Sequence, residues 1–363
     1  MARTVLAWPF AVCAKSSIMS VSPINFENSK TFETPEHPDS ANVNLSSYAV
    51  SSSMSLADAD WKRLYAFEPH YLELDATLRN TRAESQPLRM HYLDAAPSDG
   101  RAEPKPCIVA VHGNPTWSFY YRSIAEHFSK THRVLAVDHI GCGLSDKPQR
   151  YDYCLERHTE NLVRLFDALE LQRIVLVVHD WGGAIGLGAA LKRIDKIAGI
   201  VVLNTGAFPP PYVPWRIRAC RIPVLGSFAM RYLNAFALAA TRMAIDRLPR
   251  LDPSVQAGLL APYDSPSNRV GIDTFVRDIP MSRSHRTYQV LADLEKQLPR
   301  LGHLPIHCVW GMKDWCFRPE CLRRLQKAWP GAIAHELADV GHYVMEEAPS
   351  EVRTVLQSLI EKL

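Results

Sequence analysis

Val175-Leu-Val-Val-His-Asp-Trp-Gly-Gly183 carries the chain from a strand-like aliphatic run into a sharp turn and a helix start. Residues 174–178 are β-branched or aliphatic throughout, as a strand buried on both faces requires. Gly182 and Gly183 then allow a tight turn and close packing of the following helix. A strand, a turn and a helix in that order form a nucleophile elbow, which holds one reactive side chain above a sheet. Here that side chain is Asp180. Val178 stands two positions earlier, where a small residue is usual, and predicts a somewhat looser elbow. Aspartate is also a common helix N-cap, so the segment needs partners elsewhere before it reads as chemistry.

Working outward, apolar strands alternate with helical periods. Upstream lie strands at 88–93, 107–112 and 133–138 and helices at 123–129 and 158–169, the last with Leu162, Leu165, Phe166 and Leu169 at helical spacing. Downstream, residues 199–204 form another strand. This rhythm predicts an α/β fold with a mostly parallel central sheet flanked by helices. It stops at Phe208-Pro-Pro-Pro-Tyr212. From there to about Leu301 the pattern is helical, arginine-bearing and punctuated by proline, and predicts an inserted helical cap over the carboxyl ends of the strands. Strand, helix, strand and helix resume at 305–310, 320–329, 332–337 and from Ser350. The expected organisation is a core in two parts, 59–207 and 302–363, split by a cap at 208–301. Residues 1–58 are expected to be a disordered leader, because 16–58 is rich in Ser, Asn, Pro and Glu.

Composition excludes several classes. With 41 Lys and Arg against 38 Asp and Glu, the net charge is +3, and no basic block marks a nucleic-acid partner. No run of 18 apolar residues predicts a membrane span. The eight cysteines, Cys13, Cys107, Cys142, Cys154, Cys220, Cys308, Cys316 and Cys321, contain no C-x-x-C pair and read as reduced, mostly buried residues. Cys316 and Cys321 lack a second ligand pair, so no metal site is assigned. Residues 1–14 weakly resemble a secretory signal, but Pro9 interrupts the apolar stretch. A cytoplasmic location is expected, with export left open by that segment.

Partners for Asp180 appear in two other places. His112-Gly-Asn-Pro-Thr-Trp117 follows an early strand, where the backbone N–H groups of Asn114 and Trp181 are candidates for an oxyanion site. His112 itself reads as a buried histidine bonded to its own loop, and Asn114 has a second reading as a turn residue before Pro115. Asp339-Val-Gly-His-Tyr343 follows a late strand and offers His342 as a base. The acid that orients it belongs at a strand end, after Asn204 or in Val309-Trp-Gly-Met-Lys-Asp314. The first loop carries no carboxylate, so Asp314 is preferred, although an aspartate there also caps turns. Asp138-His-Ile-Gly-Cys-Gly-Leu-Ser-Asp146 lacks the third glycine of a dinucleotide fingerprint and reads as a structural turn. Arg216, Arg218, Arg221, Arg242, Arg247 and Arg250 read as a solvated face, with oligomer contacts the second reading.

The motifs at 112–117, 138–148 (Asp-His-Ile-Gly-Cys-Gly-Leu-Ser-Asp-Lys-Pro) and 179–183 together resemble those of haloalkane dehalogenases, which have the α/β-hydrolase fold. The likeness runs from about Phe67 to the C-terminus and is nearest to the third subfamily, which is closely similar to β-lactone decarboxylases of olefin biosynthesis. It implies Asp180 as nucleophile, His342 as base, Asp314 as orienting acid, and the Asn114 amide with the Trp181 indole as a halide cradle. It further implies a small apolar substrate, no cofactor and no metal, and leaves a homo-oligomer open. Hydrolytic dehalogenation through an aspartyl ester ranks first on this reading and β-lactone decarboxylation second. Epoxide hydrolysis ranks third, since that family usually has an aromatic at position 114. A non-catalytic binding protein comes last, because a binder has no need of Asp180, Asp314 and His342 together.

Overall fold

The structure, a computed structural model, describes residues 56–75, 87–97 and 105–363. Most of the expected leader, including Cys13, lies outside the described residues. The chain runs α1 (Leu56–Arg63), β1 (Pro69–Leu74), β2 (Leu88–Ala95), β3 (Cys107–Val111), α2 (Arg122–Phe128), β4 (Val134–Val137), α3 (Leu155–Ala168), β5 (Ile174–Asp180), α4 (Trp181–Lys192) and β6 (Ile197–Thr205). Helices α5 (Trp215–Cys220), α6 (Leu225–Tyr232), α7 (Ala235–Met243), α8 (Pro253–Leu260), α9 (Val270–Asp278) and α10 (Arg286–Gln297) fill the interval before β7 (Ile306–Gly311). Then follow α11 (Pro319–Ala328), β8 (Ile333–Leu337), α12 (Val344–Glu347) and α13 (Pro349–Ile360).

The eight strands form one sheet in the order β1-β2-β4-β3-β5-β6-β7-β8. β1 pairs antiparallel with β2 and β2 with β4, while the remaining pairs are parallel. From β3 the chain crosses to β4 on one side and then returns to β5 on the other. The carboxyl ends of β3 and β5 therefore flank a topological switch point, where two crossovers leave in opposite directions and open a crevice. β3, β4 and β5 are buried along their whole length, as near-continuous Val, Ile, Leu and Ala runs require between two helical layers. The sheet's two faces carry separate apolar clusters, and each also takes in residues of the helices between β6 and β7.

β1 was not foreseen. It is mostly exposed and holds Pro69, His70 and Glu73, so it has neither alternation nor an apolar run. Polar residues and proline are what an edge strand uses to avoid pairing with another chain. α1 likewise begins at Leu56, and Trp61 on it packs edge-on against Trp117.

Candidate active site

Asp180 ends β5 with φ 52° and ψ −128°, a conformation that L-residues rarely adopt. The turn is held by the Thr205 hydroxyl, which donates to the Asp180 carbonyl. Gly182 lies so close to β3 that a Cβ there would collide with the Val111 carbonyl. Val178, the oversized residue, is fully buried, and Gly186 one turn into α4 leaves the room it needs. The elbow is thus closed by a compensating glycine.

The Asn114 N–H donates to Asp180 Oδ1 at 2.7 Å, and the Trp181 N–H, next in the chain, also favours the charged carboxylate. Gly113 makes the approach feasible, since a side chain there would occupy the carboxylate's place. The Asn114 side chain donates through Nδ2 to the Ile272 carbonyl of α9 at 3.2 Å. Trp181 packs against Phe275 of the same helix.

His342 lies across from the elbow, Nε2 3.7 Å from Asp180 Oδ2. Its Nδ1 is 2.7 Å from Asp314 Oδ2. Asp314 follows β7 and is further held by the Cys316 N–H at 2.6 Å and by Asn204 Nδ2 at 3.0 Å. Asn204 also accepts from the Gly311 N–H, so one amide fixes both the strand end and the acid. Beneath His342, His179 Nε2 meets its carbonyl at 2.9 Å, and the Phe317 ring stacks on its imidazole. Glu347 accepts the N–H groups of Gly341, Asp246, Arg247 and Leu248, tying the histidine loop to the helical interval.

Burial pushes the Asp180 carboxyl up, and the nearby imidazole and two backbone donors offset this only in part, so the net shift is upward. Burial works to lower His342, yet the charge and hydrogen bond of Asp314, with Asp180 beyond, outweigh it and leave the imidazole raised. The outcome is a buried carboxylate facing a basic imidazole that is oriented from behind. Such a pair suits nucleophilic attack by the first group and proton or charge handling by the second.

All five residues singled out in the sequence therefore converge. Asn114 and Trp181 meet Asp180 through their backbone N–H groups. His112 bonds the Gly113 carbonyl through Nδ1 and takes the His139 N–H at Nε2, a structural role. Asp138 organises the Gly141–Gly143 turn: it accepts from the Ser118 and Leu144 N–H groups and from His91. Both glycines there have positive φ. Asn204, His179, Glu347, Ile272 and Phe275 were missed. Asn204 carries no carboxylate and so gives no signal in the search for the acid, and the rest act through segments distant in sequence.

Comparison with known proteins fits this geometry. The α/β-hydrolase-fold family model matches residues 106–349. A cis-3-alkyl-4-alkyloxetan-2-one decarboxylase of Shewanella oneidensis is 40% identical over 272 residues, covering 73% of this chain and 83% of that protein. A haloalkane dehalogenase of Mycolicibacterium paratuberculosis is 33% identical over 305 residues, covering 79% and 91%. Among solved structures, the tetrameric haloalkane dehalogenase DpaA of Paraglaciecola agarilytica superposes with a TM-score of 0.64 at 25% identity, covering 84% of this chain and 95% of that one. The chain belongs to the α/β-hydrolase-fold family. Within it, the relatives just described are β-lactone decarboxylases and haloalkane dehalogenases.

Proposed function

We propose that this protein opens a β-lactone bearing two alkyl chains and releases an alkene and carbon dioxide, with Asp180 as nucleophile. The single observation carrying this choice is the higher identity to the Shewanella decarboxylase, 40% against 33% for the dehalogenase. It reverses the order suggested by motifs alone, which fit both groups. The site supports the chemistry step by step. A carboxylate oxygen of Asp180 attacks the ring carbon that bears the ring oxygen, forming a C–O ester bond as the ring C–O bond breaks. The departing carboxylate stays tethered and is received by the His342 imidazolium, whose raised basicity comes from Asp314. The bond to that carboxylate then breaks, its electrons form the C=C bond, and the Asp180 carboxylate leaves. Inversion at the attacked carbon followed by anti elimination retains the cis relation of the two chains. No water, proton source or cofactor enters the balance.

Haloalkane hydrolysis is the second reading, supported by Asn114 and Trp181 beside the nucleophile, which a departing halide needs as donors. In that reaction water activated by His342 cleaves the aspartyl ester, so oxygen from water enters Asp180. Turnover in heavy-oxygen water followed by mass analysis of the Asp180 peptide separates the two. With a cis-dialkyl β-lactone, alkene should form and the peptide stay unlabelled. Halide release from bromoalkanes with a labelled peptide, and no lactone consumption, would overturn the proposal in favour of the dehalogenase.

A further inference from the structure

The outer face of helices α5 to α7 presents large apolar side chains to solvent: Val224 is 81% exposed, Trp215 73%, Leu225 66%, Tyr232 62% and Leu233 59%. They are arranged, not scattered. Leu225, Phe228 and Tyr232 share one side of α6, where the Phe228 and Tyr232 rings stack at 5.1 Å, while Met230 on the opposite side is buried. Val224 precedes this helix at φ 64° and ψ −59°, in a γ-turn closed by the Leu225 N–H on the Pro223 carbonyl at 2.7 Å. For a β-branched residue that backbone is strained, and here it sets a valine outward at the tip of the face.

The charge of this face differs from the chain average. From Thr205 to Ile245 the sequence has no Asp, Glu or Lys, and it has Arg216, Arg218, Arg221, Arg231 and Arg242. Its +5 against +3 for the whole chain leaves −2 for the remainder. Among the described residues no carboxylate forms an ion pair with any of these arginines. Arg221 and Arg231 turn onto backbone carbonyls of Val276 and Pro266. Arg216 lies over the Trp215 and Trp315 rings, and Arg216, Arg218 and Arg242 are exposed. A solvated arginine face alone does not account for its apolar half.

We infer that this face docks on an anionic lipid bilayer. Exposed Trp, Tyr, Phe and Leu interleaved with unpaired arginines are what the headgroup boundary selects: rings and aliphatics enter the interface while guanidiniums meet lipid phosphates. A second copy seated on the same face through a two-fold axis would set these arginines against one another with no acid in the segment to offset them. The face lies one helix layer above the candidate active site. Ser227 of α6 bonds Asp273 of α9 at 2.8 Å, and α9 carries Ile272 and Phe275 against Asn114 and Trp181. Docking stands on the surface alone; that it delivers a dialkyl substrate from the bilayer rests on the proposed reaction.

The test is flotation of the full chain with vesicles of phosphatidylglycerol and phosphatidylcholine, or phosphatidylcholine alone, without substrate. The chain should float with the anionic vesicles, and added salt should release it. Trp215→Ser with Leu225→Ser, and separately Arg216→Gln with Arg218→Gln, should each lower the bound fraction about tenfold or more. All four positions are exposed, and circular dichroism checks folding. Absence of flotation, or binding that neither double variant weakens, overturns the inference. So does a chain that sediments as an oligomer which Trp215→Ser with Leu225→Ser dissociates, since the face is then held by a second copy. None of these readouts depends on turnover, so failure here is separate from failure of the proposed reaction.

Discussion

At the residue scale, Asp180 is costly to the fold in a way that suits a nucleophile. Its backbone is strained and burial opposes its ionised form. A carboxyl whose folded value is raised binds more protons in the folded than in the unfolded state across that window, so stability falls as pH rises through it. Asp180→Asn keeps the shape and tolerates positive φ but removes the charge. The variant should lose turnover by about ten-thousand-fold and melt no lower than the parent at neutral pH; a large loss of melting temperature would show that the carboxylate itself holds the turn. The titration of His342 has a sharper use. Its raised value means the imidazolium persists above the ordinary 6.5. In the proposed reaction lactone opening draws on that cation, so lactone consumption should decline as pH rises through its value, and also at low pH as Asp180 becomes protonated. Ester hydrolysis needs the neutral ring, so halide release, where present, should climb over the same interval. Matching slopes for both substrates would refute the role given to His342.

At the scale of elements, the β5–α4 junction rests on a trade between two side chains. A Cβ at Gly186 would stand 2.6 Å from Val178 Cγ1, too close for either to remain in place. Gly186→Ala alone should therefore destabilise by about 1–3 kcal/mol despite the better helix propensity of alanine. Adding Val178→Ala should recover the loss, with a coupling of at least about 1 kcal/mol in a urea-melt double-mutant cycle. Strictly additive effects would mean that the two positions do not share the space. This pair also shows where the sequence was legible. Val178 could be recognised as anomalous, but its compensation eight residues later could not. The same holds across the site. Asp180, Asn114, Asp314 and His342 each sit at a strand end inside a local pattern, so periodicity and spacing locate them. Asn204, His179 and Glu347 carry no local signature, because their partners arise only when β6, β7 and the histidine loop come together. β1 escaped for a different reason: an edge strand need not bury a face.

For the whole molecule, the relation between the sheet and the helices of α5 to α10 decides how a substrate reaches Asp180. The sequence reads these helices as a cap inserted over the carboxyl ends of the strands, and the apolar clusters on both faces of the sheet run into them. Val270, Phe275, Leu291 and Leu294 join one, and Ala237, Leu259, Tyr263 and Ile272 the other. Polar ties cross as well: Trp117 Nε1 donates to the Gly258 carbonyl at 2.9 Å, and Glu347 spans from Gly341 to Asp246. A layer that shares its core with the sheet has no interface of its own along which to open, unlike domains joined by modest polar contacts. It should not swing away as a rigid lid, and access should depend on side-chain and loop motions between helices. The expectation is that sheet and helical layer unfold together. In urea, tryptophan fluorescence, with Trp181 packed on Phe275 of the helical layer and Trp310 and Trp329 buried in the sheet domain, should trace the same transition as far-ultraviolet circular dichroism, with one midpoint and one slope. If fluorescence changes first while most secondary structure persists, the helical layer is an independent unit that can detach, and opening of the whole layer becomes the route to the site.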